Sequence, residues 1–310
     1  MIKITGTFID EISHDIPHQN WGVQEWTNDF KHMKAIGIKR VFLIRCGYRQ
    51  WVTFPSEVLL KEQKVIQPLT DLVSLFLQLA EENDMEFYFG LYDSGKFWIS
   101  GSMKSEIELN KKVIDEVWDR YGSRKAFKGW YLSQESSGNT ESIVQLYHEL
   151  GSYCKKVSGN LPVMISPYID GVKNISQYDQ EISKISGISV DEHYRHWDRI
   201  LKATQKSVDI IAFQDGHVAY DQLEDFTRIN KELADSYGFV SWINTETFDR
   251  DMPIKFLPIK WDKLRFKLDV ANNCDIKEAI TFEFFHFMSP QACYLQARNL
   301  YNRYLEYLRS

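Results

Sequence analysis

The sequence predicts an α/β fold, a (β/α)8 TIM barrel, on three observations. Eight short runs rich in Val, Ile, Phe and Tyr recur along the 310 residues, amphipathic segments separate them, and polar and aromatic residues gather just after each run. Near-continuous apolar runs suit strands buried on both faces, and strict alternation with helices implies parallel strands joined by right-handed crossovers. No Gly/Ser-rich linker or internal repeat divides the chain, so residues 1–310 are expected to form one domain.

The strand candidates are residues 3–9, 40–46, 86–92, 127–133, 161–169, 209–215, 239–246 and 279–285. Between the first two, Trp26, Phe30 and Met33 share a helical face that Gly37 is placed to end. A helix starting at Pro68 would put Leu69, Leu72, Val73, Phe76 and Leu79 on its buried side. Later helices are expected over 105–121, 139–157, 191–205, 221–237, 259–271 and 289–308. The run 187–193 is assigned to the approach to the 191–205 helix, because Trp197, Ile200 and Leu201 keep helical spacing. An open doubly wound sheet would need a Gly-rich phosphate turn after the first strand; a long polar and aromatic loop stands there instead.

Composition narrows the function. A net charge of −6 without a basic stripe argues against nucleic acid and anionic membrane as partners. No run approaches a membrane span, and the first residues lack a leader-like pattern, so a soluble cytoplasmic protein is expected. Cys46, Cys154, Cys274 and Cys293 are scattered and are expected to be buried, reduced thiols. There is no Ser-centred elbow and no phosphate loop. No cofactor is called for. A metal site on His14, Asp15 and His18 is the lesser reading, because Pro17 argues for a loop and the spacing does not place two His on one helix face.

In a barrel the chemistry lies at the C-terminal strand ends. There the sequence offers Asp10, Trp21, Arg45, Tyr92, Gln134, Glu135, Tyr168, Gln214, Asp215, His217, Trp242, Asn244, Glu246, Glu283 and His286. Glu135 ends the fourth strand and Glu246 the seventh. Cleavage of a glycosidic bond needs two flanking carboxyl groups, one to protonate the leaving oxygen and one to attack the anomeric carbon or activate water. Aromatic side chains among polar ones suit the apolar faces and hydroxyls of a sugar. The bland alternatives are a helix-capping role for Glu135, an ion pair with Arg250 for Glu246, and a turn made by Asp215 with Gly216. Glu283, inside an apolar run, should face the barrel mouth or an Arg. Trp26 belongs to the core; Trp21 is assigned to the site.

This arrangement resembles the superfamily of glycosidase barrels that carries its acid/base Glu on strand four and its nucleophile Glu on strand seven. The resemblance implies a retaining enzyme with Glu135 as acid/base and Glu246 as nucleophile. Gln134 departs from it, since an Asn commonly precedes the acid/base there. Across nearly the whole chain, "GTFID", "GWYLSQE", "ISPY", "FQDG" and "WINTETF" resemble the bacterial domain-of-unknown-function family 4434, which implies a glycosidase-like barrel. A carbohydrate is then the expected ligand, with Trp21, Arg45, Tyr92, Gln134, Tyr168, Gln214, Asp215, His217, Trp242, Asn244, Glu283 and His286 around it. A non-catalytic sugar-binding barrel and a metal-dependent hydrolase are the alternatives.

Overall fold

A computed structural model describes residues 1–13, 16–138, 142–174, 187–250 and 256–310. Eight parallel strands close into a barrel: β1 (Ile4–Ile9), β2 (Arg40–Leu43), β3 (Glu86–Gly90), β4 (Phe127–Tyr131), β5 (Val163–Ile165), β6 (Ile210–Gln214), β7 (Val240–Asn244) and β8 (Ala279–Thr281). Each pairs with its sequence neighbours, and β1 closes the ring on β8. Every predicted run holds one barrel strand, and all but β1 stop earlier than their apolar runs, because the last residues of those runs leave the ladder to form the mouth.

Ten helices are described: α1 (Val23–Ala35), α2 (Glu57–Gln63), α3 (Leu72–Glu82), α4 (Met103–Tyr121), α5 (Ser142–Ser158), α6 (Val190–Thr204), α7 (Leu223–Tyr237), α8 (Trp261–Asn273), α9 (Phe284–Phe287) and α10 (Leu295–Arg309). Gly37 follows α1 at φ +88°, a left-handed conformation that glycine adopts without a Cβ penalty. α3 starts four residues after Pro68. Asp71 caps it, its side chain accepting from the Ser74 amide at 2.9 Å, so Leu69 lies before the helix and is fully exposed rather than buried. Leu295, at the start of α10, is likewise exposed.

Strand side chains that point inward fill the barrel with Phe8, Phe42, Tyr88, Tyr131, Met164, Ala212, Trp242 and Ile280. Those that point outward meet the helices in one continuous apolar shell that includes Trp26, Phe76, Trp130 and Trp197. Such filling makes the interior a packed core and leaves only the mouth for a ligand. Three two-residue strands, Gly47–Tyr48, Trp51–Val52 and Tyr92–Asp93, form a small sheet above β2 and β3. Cys46 and Cys154 are buried as expected, but Cys274 is half-buried and Cys293 exposed; all four are free thiols. No helix among the described residues is long and apolar enough to cross a membrane.

Candidate active site

The mouth opens into a cavity of about 320 Å³ walled by Asp10, Ser13, Arg45, Tyr48, Glu135, Tyr168, Gln214, His217, Asn244, Glu246 and Arg250, with Ile16, Ile44, Phe248, Phe256 and Phe282 on its apolar side. That volume is at the small end for ligand pockets, about 300–1,000 Å³. Glu135 and Glu246 both face it.

Glu135 follows β4 by four residues. The Tyr131 hydroxyl donates to its Oε1 at 3.2 Å, and Gln214 also hydrogen-bonds it. Burial pushes its carboxyl above the ordinary 4.5; Arg45, Gln214 and Tyr131 oppose that push and Asp10 adds to it. Gln214 is itself fixed, donating from Nε2 to the Ser166 carbonyl at 2.8 Å.

Glu246 is the opposite case. Burial raises its carboxyl, but Arg250 foremost, with Lys267 behind it, holds it below the ordinary value. Arg250 donates to both oxygens, Nε to Oε2 and Nη2 to Oε1, each at 2.7 Å. The salt bridge does not seal the acid away, because both partners line the cavity. Two groups behind the site fix Glu246 further. Asp215 Oδ1 accepts its amide at 3.0 Å, and Lys267, reaching in from α8, donates to Asp215 at 2.7 Å and to the Glu246 carbonyl at 3.2 Å. A Cβ on Gly216 would lie 1.6 Å from Oε2 of Glu246, so the carboxylate rests against a residue that must lack a side chain.

The remaining walls are polar and neutral near Glu246. Burial pushes the His217 imidazole down to about 4, aided by Arg250, and Tyr168 packs edge-on against it with centroids 5.6 Å apart. Asn244 donates to the Ser166 hydroxyl at 2.9 Å, leaving its buried Oδ1 without a partner among the described residues. Asp10 Oδ1 accepts the Ile12 and Ser13 amides at 3.0 and 2.8 Å, while its buried Oδ2 is unpartnered in the same sense.

The structure brings Arg45, Glu135, Tyr168, Gln214, His217, Asn244 and Glu246 to one cavity. Seven other sequence candidates are not on its walls. Trp21 packs on Trp26 and Phe285 at the helical shell. The Tyr92 ring is buried and its hydroxyl donates to the Arg49 carbonyl. Gln134 turns away to the Tyr92 carbonyl at 2.8 Å and Glu106 at 3.0 Å. Trp242 plugs the barrel, with the Arg40 guanidinium 5.0 Å from its ring centre. Asp215 is fully buried behind Glu246, and its carbonyl also accepts the Val218 amide at 3.2 Å, so the turn reading holds as well. Glu283 meets neither the mouth nor an Arg: its carboxyl pairs with His286 and accepts the Asp10 amide at 3.1 Å. His286 Nε2 lies 2.9 Å from the Pro17 carbonyl.

Asp10, offered at a strand end but not assigned to the ligand, also lines the cavity; Arg250, Phe256 and Phe282 were not assigned to the site from the sequence. Arg250 carried a signal, four residues after Glu246, but that spacing was assigned to the bland alternative. Of the candidate metal ligands, His14 and Asp15 lie outside the described residues, and His18 sits 3.7 Å from Glu11. Asn139, within an expected helix, also lies outside them.

A family model described as a domain of unknown function, DUF4434, matches residues 4–294. A crystal structure of a protein from Bacteroides thetaiotaomicron, provisionally named an alpha-L-fucosidase, is 53% identical, with 99% of this chain and 94% of that one covered and a TM-score of 0.94. An endo-1,4-beta-D-mannanase from Thermotoga petrophila shares 12% identity over 91% of this chain and 88% of its own, with a TM-score of 0.54. A chitinase from Pseudoalteromonas aurantia shares 8% over 99% of both chains, with a TM-score of 0.57. The last two likenesses concern the fold alone. No curated protein matches the chain.

Proposed function

The chain belongs to the DUF4434 family, glycosidase-like in fold, and from that premise we propose a glycoside hydrolase with Glu135 as general acid and base and Glu246 as nucleophile. One observation carries the reading: carboxyl groups after strands four and seven face one cleft, and their surroundings push them in opposite directions. A protonated acid beside an ionised one is the pairing that glycosidic cleavage requires.

In the first step a Glu246 oxygen attacks the anomeric carbon. The bond to the leaving oxygen breaks as Glu135 gives that oxygen its proton. In the second step Glu135, now a carboxylate, takes a proton from water, whose oxygen attacks the same carbon and frees Glu246. Negative charge therefore moves from Glu246 to Glu135 and back. Arg250 interacts with the charges of both, and Arg45 with that of Glu135, so the cations that steady the resting state also steady the intermediate. Neutral His217, Gln214 and Asn244 are suited to hydroxyl groups. Fucosides are the first substrates to test, given the 53% identical relative. A single domain over 1–310 and a cytoplasmic address belong to the same reading.

The double grip of Arg250 on Glu246 favours a second reading, a barrel that binds sugar without cleaving it. Proton NMR of 4-nitrophenyl glycosides, an alpha-L-fucoside among them, separates the two. Cleavage with the anomeric configuration kept in the first-formed product, and lost in a folded Glu246→Gln variant, is the expected result. Inversion would remove the nucleophile assignment. Sugar binding without turnover across the panel would establish the second reading.

A further inference from the structure

Beside the charged cleft lies a larger cavity of about 870 Å³, walled on one side by Tyr48, Trp51, Ile66, Pro68 and Leu69 and elsewhere by Glu11, His18, Arg49, Gln50 and Gln67. Tyr48 lines both cavities, so the two adjoin at one residue. Trp51 is 52% exposed, Ile66 46%, and Leu69 fully, which makes this edge of the mouth an apolar patch open to solvent. Leu69 is free to join it because the Asp71 cap starts α3 only after that residue.

The patch is held in place. Trp51 pairs with Tyr48 across the short antiparallel ladder and forms a parallel bridge with Ile66. The Ile66 amide donates to the Gln50 carbonyl at 2.7 Å, and Gln67 Nε2 donates to the Ser56 carbonyl at 2.8 Å. An ordered apolar surface of this kind binds without first losing its own freedom.

We infer that this cavity is a subsite for an apolar aglycone, so that the substrates are amphiphilic glycosides with an aryl or alkyl leaving group. The inference rests on the reading of the cleft as a sugar site. Arg45, Glu135, Glu246 and Arg250 serve the polar half of such a molecule. Trp51, Ile66 and Leu69 make an exposed apolar edge that suits a hydrocarbon, while Glu11, His18, Arg49, Gln50 and Gln67 stand around the rest of the cavity.

Binding tests this without turnover. A Glu135→Gln protein is titrated calorimetrically with methyl, hexyl, octyl and 4-nitrophenyl glycosides of fucose, galactose and mannose. For the sugar that binds, the octyl and aryl compounds should bind about tenfold or more tightly than the methyl one. That gain should vanish in Trp51→Ala and in Leu69→Ser, the latter on a fully exposed side chain that folding does not depend on. No gain with chain length, a gain that survives both substitutions, a gain from oligosaccharides in place of alkyl chains, or no binding by any compound would each overturn the inference. Chain-length dependence in a wild-type protein that hydrolyses none of the glycosides would retain the apolar subsite and remove the hydrolase reading. Hydrolysis with no such dependence would do the reverse.

Discussion

Arg250 decides the protonation state of Glu246, since burial alone would drive that carboxyl upward. The two acids should therefore set the two limbs of the pH profile of kcat/KM. Activity needs Glu246 ionised, so it falls on the acid side, below the ordinary carboxylate range. It needs Glu135 protonated, so it falls on the alkaline side, above that range. Arg250→Met should move the acid limb to higher pH and leave the alkaline limb nearer its place; an unmoved acid limb would show that Arg250 does not hold the nucleophile's charge. Glu135→Gln should lower kcat/KM by about 10²–10⁴ for poor leaving groups and much less for dinitrophenolate, which leaves without a proton, whereas kcat falls for both because the second step loses its base. At this scale the sequence was informative where function breaks a pattern. A carboxylate after an apolar strand is out of place in a core, and that made Glu135 and Glu246 visible. Gln134, next to Glu135, points elsewhere because a one-residue difference reverses the face, and Trp242, on the same face as Asn244 and Glu246, lies deeper and fills the barrel below the mouth.

Elements behind the site explain why Glu246 stands where it does. Residues 215–217 after β6 supply a buried acid, a bare backbone and an imidazole, while α8 supplies Lys267. Gly216→Ala should displace the carboxylate, since the new methyl would occupy its place. A loss of about 10²-fold in kcat, with the melting temperature little changed, is the expected result; normal kinetics would show that the carboxylate has room to move. Lys267→Met should act on stability instead. It leaves the Asp215 carboxyl buried without its cation, at a cost of about 3–5 kcal/mol in denaturant unfolding, and adding Asp215→Asn should recover part of it. Existence and order of the eight strands were legible because periodicity and β-branched content persist over whole elements. Boundaries were less so: Asp71 was available as a cap, but Pro68 offered an equally good start, and only the capping hydrogen bond decides between them. Lys267 had no signature at all, because a lysine on an amphipathic helix reads as solvated until the fold buries it.

Closure of the whole barrel brings a set of acids to the seam between its first and last strands. Thr7 Oγ1 accepts the Phe284 amide at 2.9 Å, Asp29 on α1 takes hydrogen bonds from Ser289 and Gln291, and Gln19 donates to the Phe285 carbonyl at 2.8 Å. Burial pushes Asp29 from 3.8 to about 7 and Glu11 from 4.5 to about 7. It also raises Glu283 far above its ordinary range and lowers His286, whose Nδ1 meets the Glu283 carboxyl and whose Nε2 lies 2.9 Å from the Pro17 carbonyl. The folded chain thus keeps protons on Asp29 and Glu11 that the unfolded chain releases between about pH 4 and 7. Stability from these two groups is fully present below their unfolded values and is lost as pH rises through about 7. Asp29→Asn, close in shape and unable to ionise, removes one of them. Melting curves from pH 4.5 to 8 should show the variant gaining on the wild type as pH rises, with most of the relative change complete by pH 8. Parallel curves would mean that Asp29 is already ionised in the folded barrel and that the seam gains nothing from its proton.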